Sequence, residues 1–180
     1  PDIATDHMII DIGAARVAAR PDSLDVVVTP NLYGDIISDI AAQVSGSVGL
    51  GGSANIGHSS AMFEAIHGSA PKWAGQDAAN PSGFLQAAVM LLVHVGLADY
   101  GAKIHNAWLR TLEDGYHTRD IYRNGVSKQQ VGTMGFADAI VKRLGQIPEQ
   151  LSPVSFQGSG MKVVLGESKP VKKTFRGVDV

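Results

Sequence analysis

The sequence predicts an α/β fold, in which apolar strands alternate with amphipathic helices along the chain. Three observations support this prediction. Apolar side chains recur at helical spacing through residues 7–20, residues 26–28 (Val-Val-Val) are typical of a buried strand, and residues 81–114 hold two consecutive helical patterns. In such folds the loops at strand ends carry the chemistry, so the candidate site residues are sought there.

The first helix is predicted over residues 7–20, where Arg20 and Pro21 end the pattern. The strand at residues 26–28 follows. Pro30 and Gly34 mark a turn after it, and a second helix is predicted to begin near Asp35.

Asp35 and Asp39 are four residues apart on this second predicted helix, so both carboxylates lie on one helical face. Such a pair can present oxygens to a hard cation such as Mg²⁺ or Mn²⁺. The alternative is structural, because acidic residues are favoured in a first helical turn by the macrodipole and by capping. The pair alone leaves both interpretations open.

Residues 46–57 contain five glycines in twelve positions, which predicts a loop rather than a regular element. A short buried strand is predicted next at residues 61–67, followed by a loop over residues 68–79. Asn80 is then predicted as the N-cap of a helix with Pro81 at its first position.

Two helices are predicted at residues 81–96 and 98–114, and a last one from Thr133 as N-cap to Leu144, with Gly145 just beyond. Residues 151–180 mix Pro, Gly, Ser and Lys and end in what looks like the start of a strand. We expect the chain to be a fragment cut at both ends.

The composition indicates a cytoplasmic protein with an apolar core. The 180 residues include no cysteine, 44% are hydrophobic and 18% are charged, and the formal net charge is −2. No nucleic-acid partner is expected, because Lys and Arg form no stripe before the last twenty residues. No membrane association is expected, because the longest apolar run, residues 84–97, is short and interrupted by polar side chains.

The loop after the second predicted strand could bind a nucleotide. His67 and the small residues after it allow close approach of a ligand, Lys72 adds a cation, Trp73 an aromatic face and Asn80 a polar edge. Each also has a structural alternative: His67 as a hydrogen-bonded core histidine, Trp73 as packing and Asn80 as a cap.

Arg119 and Arg123 stand four residues apart before a turn and could bind phosphate oxygens, or simply be solvated. The chain has no G-x-G-x-x-G, no G-x-x-x-x-G-K-[ST] and no G-x-S-x-G motif. Ordinary Rossmann binding and acyl-enzyme chemistry are therefore not indicated.

Several motifs occur in one order and together resemble the β-decarboxylating dehydrogenases, the isocitrate and isopropylmalate dehydrogenase family. They are Asp11, Asn31-Leu-Tyr-Gly-Asp35-Ile-Ile-Ser-Asp39, the glycine-rich stretch, Phe63-Glu64-Ala-Ile-His67-Gly-Ser-Ala-Pro71, Ala74-Gly75 and Asn80-Pro81. The resemblance covers residues 1 to about 150.

This resemblance implies an isocitrate/isopropylmalate dehydrogenase-like α/β fold with parts of two α/β domains. Residues 1–45 would end a small domain that forms the dimer and binds metal. Residues 46–150 would be the cofactor-binding part of a large domain. Residues 151–180 would be a linker and the start of an extra C-terminal domain.

The resemblance also implies the site residues. Asp35 and Asp39 would bind Mg²⁺ or Mn²⁺, and Asp11 would reach the same metal from the neighbouring subunit of a homodimer. The cofactor would be held by Glu64, His67, Gly68, Ser69, Ala70, Pro71, Lys72, Trp73, Asn80, Arg119 and Arg123. NADP is favoured over NAD, because Lys72 stands where NAD-dependent relatives carry an acidic residue, although Arg119 replaces the usual aromatic.

The implied activity is oxidative decarboxylation of isocitrate to 2-oxoglutarate. The family's catalytic tyrosine and lysine would precede Pro1, so the 180 residues alone are expected to show no turnover. Two alternatives stay open: NAD-dependent oxidation of another 2-hydroxy acid (isopropylmalate, homoisocitrate or tartrate), and a non-catalytic regulatory or dimerisation subunit. The tail after residue 150 favours isocitrate, because it resembles members with an extra C-terminal domain.

Overall fold

The computed structural model describes residues 3–157 and Gly166, and in this part five α-helices alternate with two small sheets. The helices are α1 (Ile10–Ala19), α2 (Asn31–Val44), α3 (Ser82–His94), α4 (Ala98–Glu113) and α5 (Thr133–Val141). The strands are β1 (Gly52–Ile56), β2 (Ala61–Ala65), β3 (Tyr116–His117) and β4 (Gln129–Gln130). Short 3-10 turns lie at Pro21–Ser23, Val48–Leu50 and Pro71–Trp73. The predicted α/β class is confirmed.

The core lies where α4 meets α3 and α5. Phe136 and Ala107 are fully buried and Ile140 is 6% exposed, with Trp108 and Leu112 packed against them. The four-residue spacing of Trp108 and Leu112 in the sequence therefore marks the face of α4 that packs against the core. None of the helices in the described residues is long and apolar enough to cross a lipid bilayer.

Strands β1 and β2 form an antiparallel hairpin, with Gly52 opposite Ala65 and Ile56 opposite Ala61. Helix α3 packs on this hairpin so closely that a Cβ on Gly83 would lie 2.6 Å from the carbonyl oxygen of Gly51. The prediction of a loop throughout residues 46–57 is therefore wrong. Gly52 serves close packing of α3 on β1, since a Cβ there would lie 2.8 Å from the Ala87 backbone nitrogen. Composition alone does not distinguish this use of glycine from a loop.

The predicted strand at residues 26–28 is also wrong. Its residues form no regular element, with Val26 82% and Val28 93% exposed. Within the described residues no strand lies beside this segment, and an apolar run forms a strand only when a neighbour supplies hydrogen-bond partners. Strand β2 likewise departs from the prediction of a buried strand, since one of its faces is exposed.

Helix α2 begins at Asn31 rather than near Asp35. The extended Pro30 precedes it, and its carbonyl oxygen accepts the N–H of Gly34 at 2.9 Å. Gly34 is therefore inside the helix and not in a turn. The helices at residues 81–96, 98–114 and 133–144 are confirmed within a few residues at their ends.

Strands β3 and β4, which pair in parallel over two residues each, were not predicted. They are too short to give a period-2 pattern. The strand predicted at the end of the tail lies outside the described residues. The division into residues 1–45, 46–150 and 151–180 stays a prediction.

Candidate functional site

A cavity of about 570 Å³ opens between the glycine-rich stretch, the loop after β2 and the turn that follows β3. Six of its lining residues were predicted as cofactor ligands: His67, Gly68, Ala70, Trp73, Asn80 and Arg119. Six others were not predicted: Ser47, Val48, Gly49, Ala78, Ala79 and Asp120. The structure thus brings together candidates that are more than fifty positions apart in the sequence.

Five predicted cofactor residues lie outside the cavity wall: Glu64, Ser69, Pro71, Lys72 and Arg123. The Glu64 carboxylate accepts a hydrogen bond from the Asn55 amide at 3.1 Å across the hairpin. Arg123 is exposed, and its backbone N–H donates to Ser127 Oγ at 2.8 Å. Their roles as ligands stay predictions.

Trp73 lies beside two cations at the edge of the cavity. The Arg119 guanidinium carbon is 5.3 Å from the centre of the indole, and the Lys72 ammonium nitrogen is 5.6 Å from it. Both separations are within the range of a cation–π attraction. Because Arg119 and Lys72 are exposed, an anionic group beside the indole would meet two positive charges.

The loop that carries Trp73 has a tight backbone. Ala70 adopts a left-handed conformation with φ of 42°, and the Trp73 N–H donates to the Ala70 carbonyl at 2.9 Å. This left-handed region is uncommon for a residue with a Cβ.

His67 Nδ1 lies 2.9 Å from the Gly68 carbonyl oxygen, and since a carbonyl only accepts, the proton is on Nδ1.

Asp120 is the polar centre of the cavity. Its carboxylate accepts hydrogen bonds from the Ser47 hydroxyl, from Thr118 Oγ1 at 2.6 Å and from Asn80 Nδ2 at 3.0 Å. Desolvation raises the pKa of Asp120, but these hydrogen bonds outweigh it and hold the pKa below its usual range. Asp120 is therefore ionised at neutral pH.

The predicted start of α3 is one residue early, since Pro81 and not Asn80 is the N-cap. At this helix start Asn80 Oδ1 accepts the N–H of Ser82 at 3.0 Å, while Asn80 Nδ2 donates to Asp120 at 3.0 Å. Asn80 is 7% exposed and lines the cavity. The Asn80 side chain therefore links the start of α3 to the cavity wall, and its role as a cofactor ligand stays a prediction.

Asp120 was missed because it received no role beside Arg119. A weak local signal existed, since Thr and Asp side chains commonly form short-range hydrogen bonds in turns, and Thr118 and Asp120 both lie in the segment after β3. Ser47 was missed for a different reason. Its partner Asp120 is 73 residues away, and no local pattern predicts that contact.

The candidate metal ligands lie on the first two helices. Asp35 and Asp39 are exposed, one helical turn apart on α2, and neither carboxylate makes a hydrogen bond or ion pair with the described residues. Two free carboxylates fit a hard cation whose other positions are filled by water or substrate oxygens.

Asp11 lies on α1, where its Oδ1 accepts the N–H of Ile12 at 2.7 Å. Among the described residues of one chain, no three His, Asp or Glu side chains come together as a metal site. Asp11 thus does not complete a site with Asp35 and Asp39 of its own chain. A site shared with a second subunit stays a prediction.

Comparison with known proteins adds independent information. A family model described as isocitrate/isopropylmalate dehydrogenase matches residues 1–140. The chain is 61% identical over 156 residues to a Rickettsia bellii protein named isocitrate dehydrogenase (NADP), covering 87% of this chain and 32% of that protein. It is 44% identical over 147 residues to subunit 2 of the mitochondrial isocitrate dehydrogenase (NAD) of Saccharomyces cerevisiae, covering 80% of this chain and 39% of that protein.

Among solved structures, the chain is similar to an isocitrate dehydrogenase from Methylococcus capsulatus. The TM-score is 0.72 at 41% identity, and the match covers 77% of this chain and 40% of that one. The chain spans 32% and 39% of the length of the two curated relatives named above.

Proposed function

The chain belongs to the isocitrate/isopropylmalate dehydrogenase family, and we propose that it forms the metal- and cofactor-binding part of an NADP-dependent isocitrate dehydrogenase. The reaction is the oxidative decarboxylation of isocitrate to 2-oxoglutarate. The active unit is a cytoplasmic homodimer in which Asp11 of one subunit joins Asp35 and Asp39 of the other.

The observation that supports the cofactor assignment best is the pair of cations beside Trp73. NADP differs from NAD by a phosphate on the adenosine ribose, and a dianionic phosphate is stabilised by Arg and Lys side chains. Arg119 lines the cavity and Lys72 lies next to it, both within 6 Å of the indole centre. Relatives named for NADP and for NAD both match the chain, so family membership alone does not select the cofactor.

The cavity also has polar groups that suit the remainder of an adenosine. Asn80 and Asp120 offer an amide and a carboxylate at its wall, and the small residues Gly68 and Ala70 permit close approach of a flat ring. Because the hydrogen bonds around Asp120 are made within the protein, this wall is preorganised before a ligand binds.

The contribution of this chain to the chemistry is electrostatic and positional. Asp35 and Asp39 would hold the divalent cation, which when bound supplies Lewis-acid polarisation of the substrate's hydroxyl and carboxylate oxygens. The cavity would hold the adenosine end of NADP and so orient the nicotinamide, the hydride acceptor, toward the substrate. The groups that move protons are proposed to lie in a part of the enzyme that precedes Pro1.

Calorimetric titration of the full 180-residue chain with NADP and with NAD tests the cofactor part of this proposal. The cavity is formed by described residues of one chain, so we expect binding without a partner. We expect NADP to bind and NAD to bind more weakly, and we expect exchanging Arg119 for Ala to weaken NADP more than NAD. Equal affinity for the two dinucleotides, or no binding of either, would contradict the proposal.

A further inference from the structure

Residues 149–156 form a strap that runs back along α4 from its C-terminal end. The Glu113 carboxylate, 5% exposed, accepts the backbone N–H groups of Glu149, Gln150 and Leu151 at 2.8 to 3.1 Å. Arg110, on the same helix, forms an ion pair with Glu149 at 2.7 Å. The start of the strap is thus fixed by its backbone to the end of α4.

About two helical turns before Glu113 on α4, Asn106 holds the middle of the strap. Its Oδ1 accepts the Val154 N–H at 2.8 Å, and its Nδ2 donates to the Val154 carbonyl at 2.9 Å. This double exchange resembles the pairing between neighbouring strands. Since Asn106 is 7% exposed, both bonds are shielded from water.

The end of the strap reaches a chain of contacts that leads to the cavity. The Phe156 ring meets the His105 ring edge-on at 5.9 Å, and His105 meets Trp108 edge-on at 5.3 Å. Trp108 Nε1 donates to Ser82 Oγ at 2.8 Å. Ser82 is fully buried, and its backbone N–H donates to Oδ1 of Asn80, which lines the cavity.

We propose that Phe156 and His105 are positioning residues for the cofactor cavity, acting on Asn80 through Trp108 and Ser82. This inference rests on the proposed function, since its ligand is NADP. When the strap is packed on α4, it restricts the position of the Trp108 indole. The indole in turn fixes the Ser82 hydroxyl, and Ser82 holds the N-terminus of α3 so that Asn80 faces the ligand.

The consequence is a thermodynamic coupling between the strap and the cavity. If a seated strap raises the affinity for NADP by some factor, bound NADP favours the seated strap by the same factor. Plain packing of the strap on α4 has no such reciprocity. The two cases are therefore distinguishable by measurement in both directions.

The first measurement is NADP affinity by calorimetry in the full chain, at a temperature where each variant is folded. Phe156→Ala is expected to weaken NADP binding about fivefold or more, the low end of typical couplings. Phe156→Tyr, which keeps the ring, is expected to retain the affinity. Ser155→Ala is the matched control, since Ser155 is an exposed strap residue next to Phe156.

The second measurement needs no variant. Amide hydrogen exchange of residues 149–151 and 154 is expected to slow when NADP is added, by a larger factor than exchange in α1, which packs on α2 rather than on α4. Slowing no greater than that in α1 would overturn the inference.

The possible outcomes separate the two proposals. NADP binding that is the same in Phe156→Ala and Ser155→Ala overturns the positioning role and leaves the proposed function intact. Failure of the unaltered chain to bind NADP overturns the proposed function and this inference with it. Weaker binding by Phe156→Ala, rescued by Phe156→Tyr and accompanied by preferential slowing in the strap, supports the inference.

Discussion

The side-chain amide of Asn80 donates a hydrogen bond to the carboxylate of Asp120 at 3.0 Å, across 40 residues of chain. This contact joins the start of α3 to the turn after β3, and the Ser47 hydroxyl joins the glycine-rich stretch to the same carboxylate. Three segments of the cavity wall therefore depend on one charged group.

The Asp120→Asn substitution is expected to lower stability at neutral pH by about 1 kcal/mol, since it weakens charge-assisted hydrogen bonds at a partly exposed carboxylate. The folded pKa of Asp120 is lowered, so its contribution is present above the ordinary value of 3.8 and is lost as pH falls through the folded pKa. Urea unfolding at pH 7 and near pH 3 measures this. A difference from the unaltered protein that persists unchanged at the acid pH would contradict the assignment.

Reversing the charge at Lys72 is expected to reduce the preference for NADP over NAD. Lys72→Asp replaces attraction of the ribose phosphate with repulsion, and each interaction between exposed charges is worth up to about 1 kcal/mol, so the affinity ratio should fall about tenfold. Lys103→Asp is the matched control, as Lys103 is an exposed lysine on α4. A ratio that does not change relative to this control would count against the cofactor assignment.

Removing one candidate metal ligand is expected to weaken Mn²⁺ binding in the assembled dimer. Loss of a supporting group around a metal ligand commonly costs about 10- to 100-fold in affinity, so Asp35→Asn should cost at least about tenfold. The control is Asp22→Asn, an exposed aspartate outside the proposed site. Calorimetric Mn²⁺ titration measures both variants, and normal affinity in Asp35→Asn would favour the alternative of a regulatory subunit.

Truncating the centre of the core is expected to destabilise the fold. Phe136 is fully buried against α4, and a Phe→Ala change at such a site typically costs about 3–5 kcal/mol. Phe84→Ala, at a residue 70% exposed, should cost less than about 0.5 kcal/mol. Chemical denaturation measures the stability of both variants. Similar denaturation midpoints for Phe136→Ala and Phe84→Ala would contradict the assignment of Phe136 to the core.

The sequence predicted the parts of the fold that have local signals. Helices α3 and α4 carry long apolar stripes, and Asn80 followed by Pro81 marks the start of α3, so their positions were predicted within a few residues. The segment at residues 26–28 and the strand β1 were predicted wrongly. A strand depends on its neighbour, and neither a valine run nor a glycine-rich stretch says what lies beside it.

The candidate site likewise has residues that a local motif predicted and residues that it did not. His67, Trp73 and Asn80 occur in a recognisable segment and line the cavity, as does Arg119 from a separate turn. Ser47 and Asp120 were not predicted, because their importance arises from a contact between distant parts of the chain. The metal-binding role predicted for Asp11 requires a second subunit and stays a prediction.

The most direct test of the central claim is turnover in a chimera with the Rickettsia bellii isocitrate dehydrogenase (NADP), which is 61% identical to this chain over 156 residues. In it, the aligned segment of that protein is replaced by the present chain, and NADPH formation is followed with isocitrate and Mn²⁺. We expect isocitrate-dependent NADPH formation by the chimera, no such activity in the 180 residues alone, and a large loss of the chimera's activity in the Asp35→Asn variant. A folded, dimeric chimera without turnover, or turnover by the isolated chain, would contradict it.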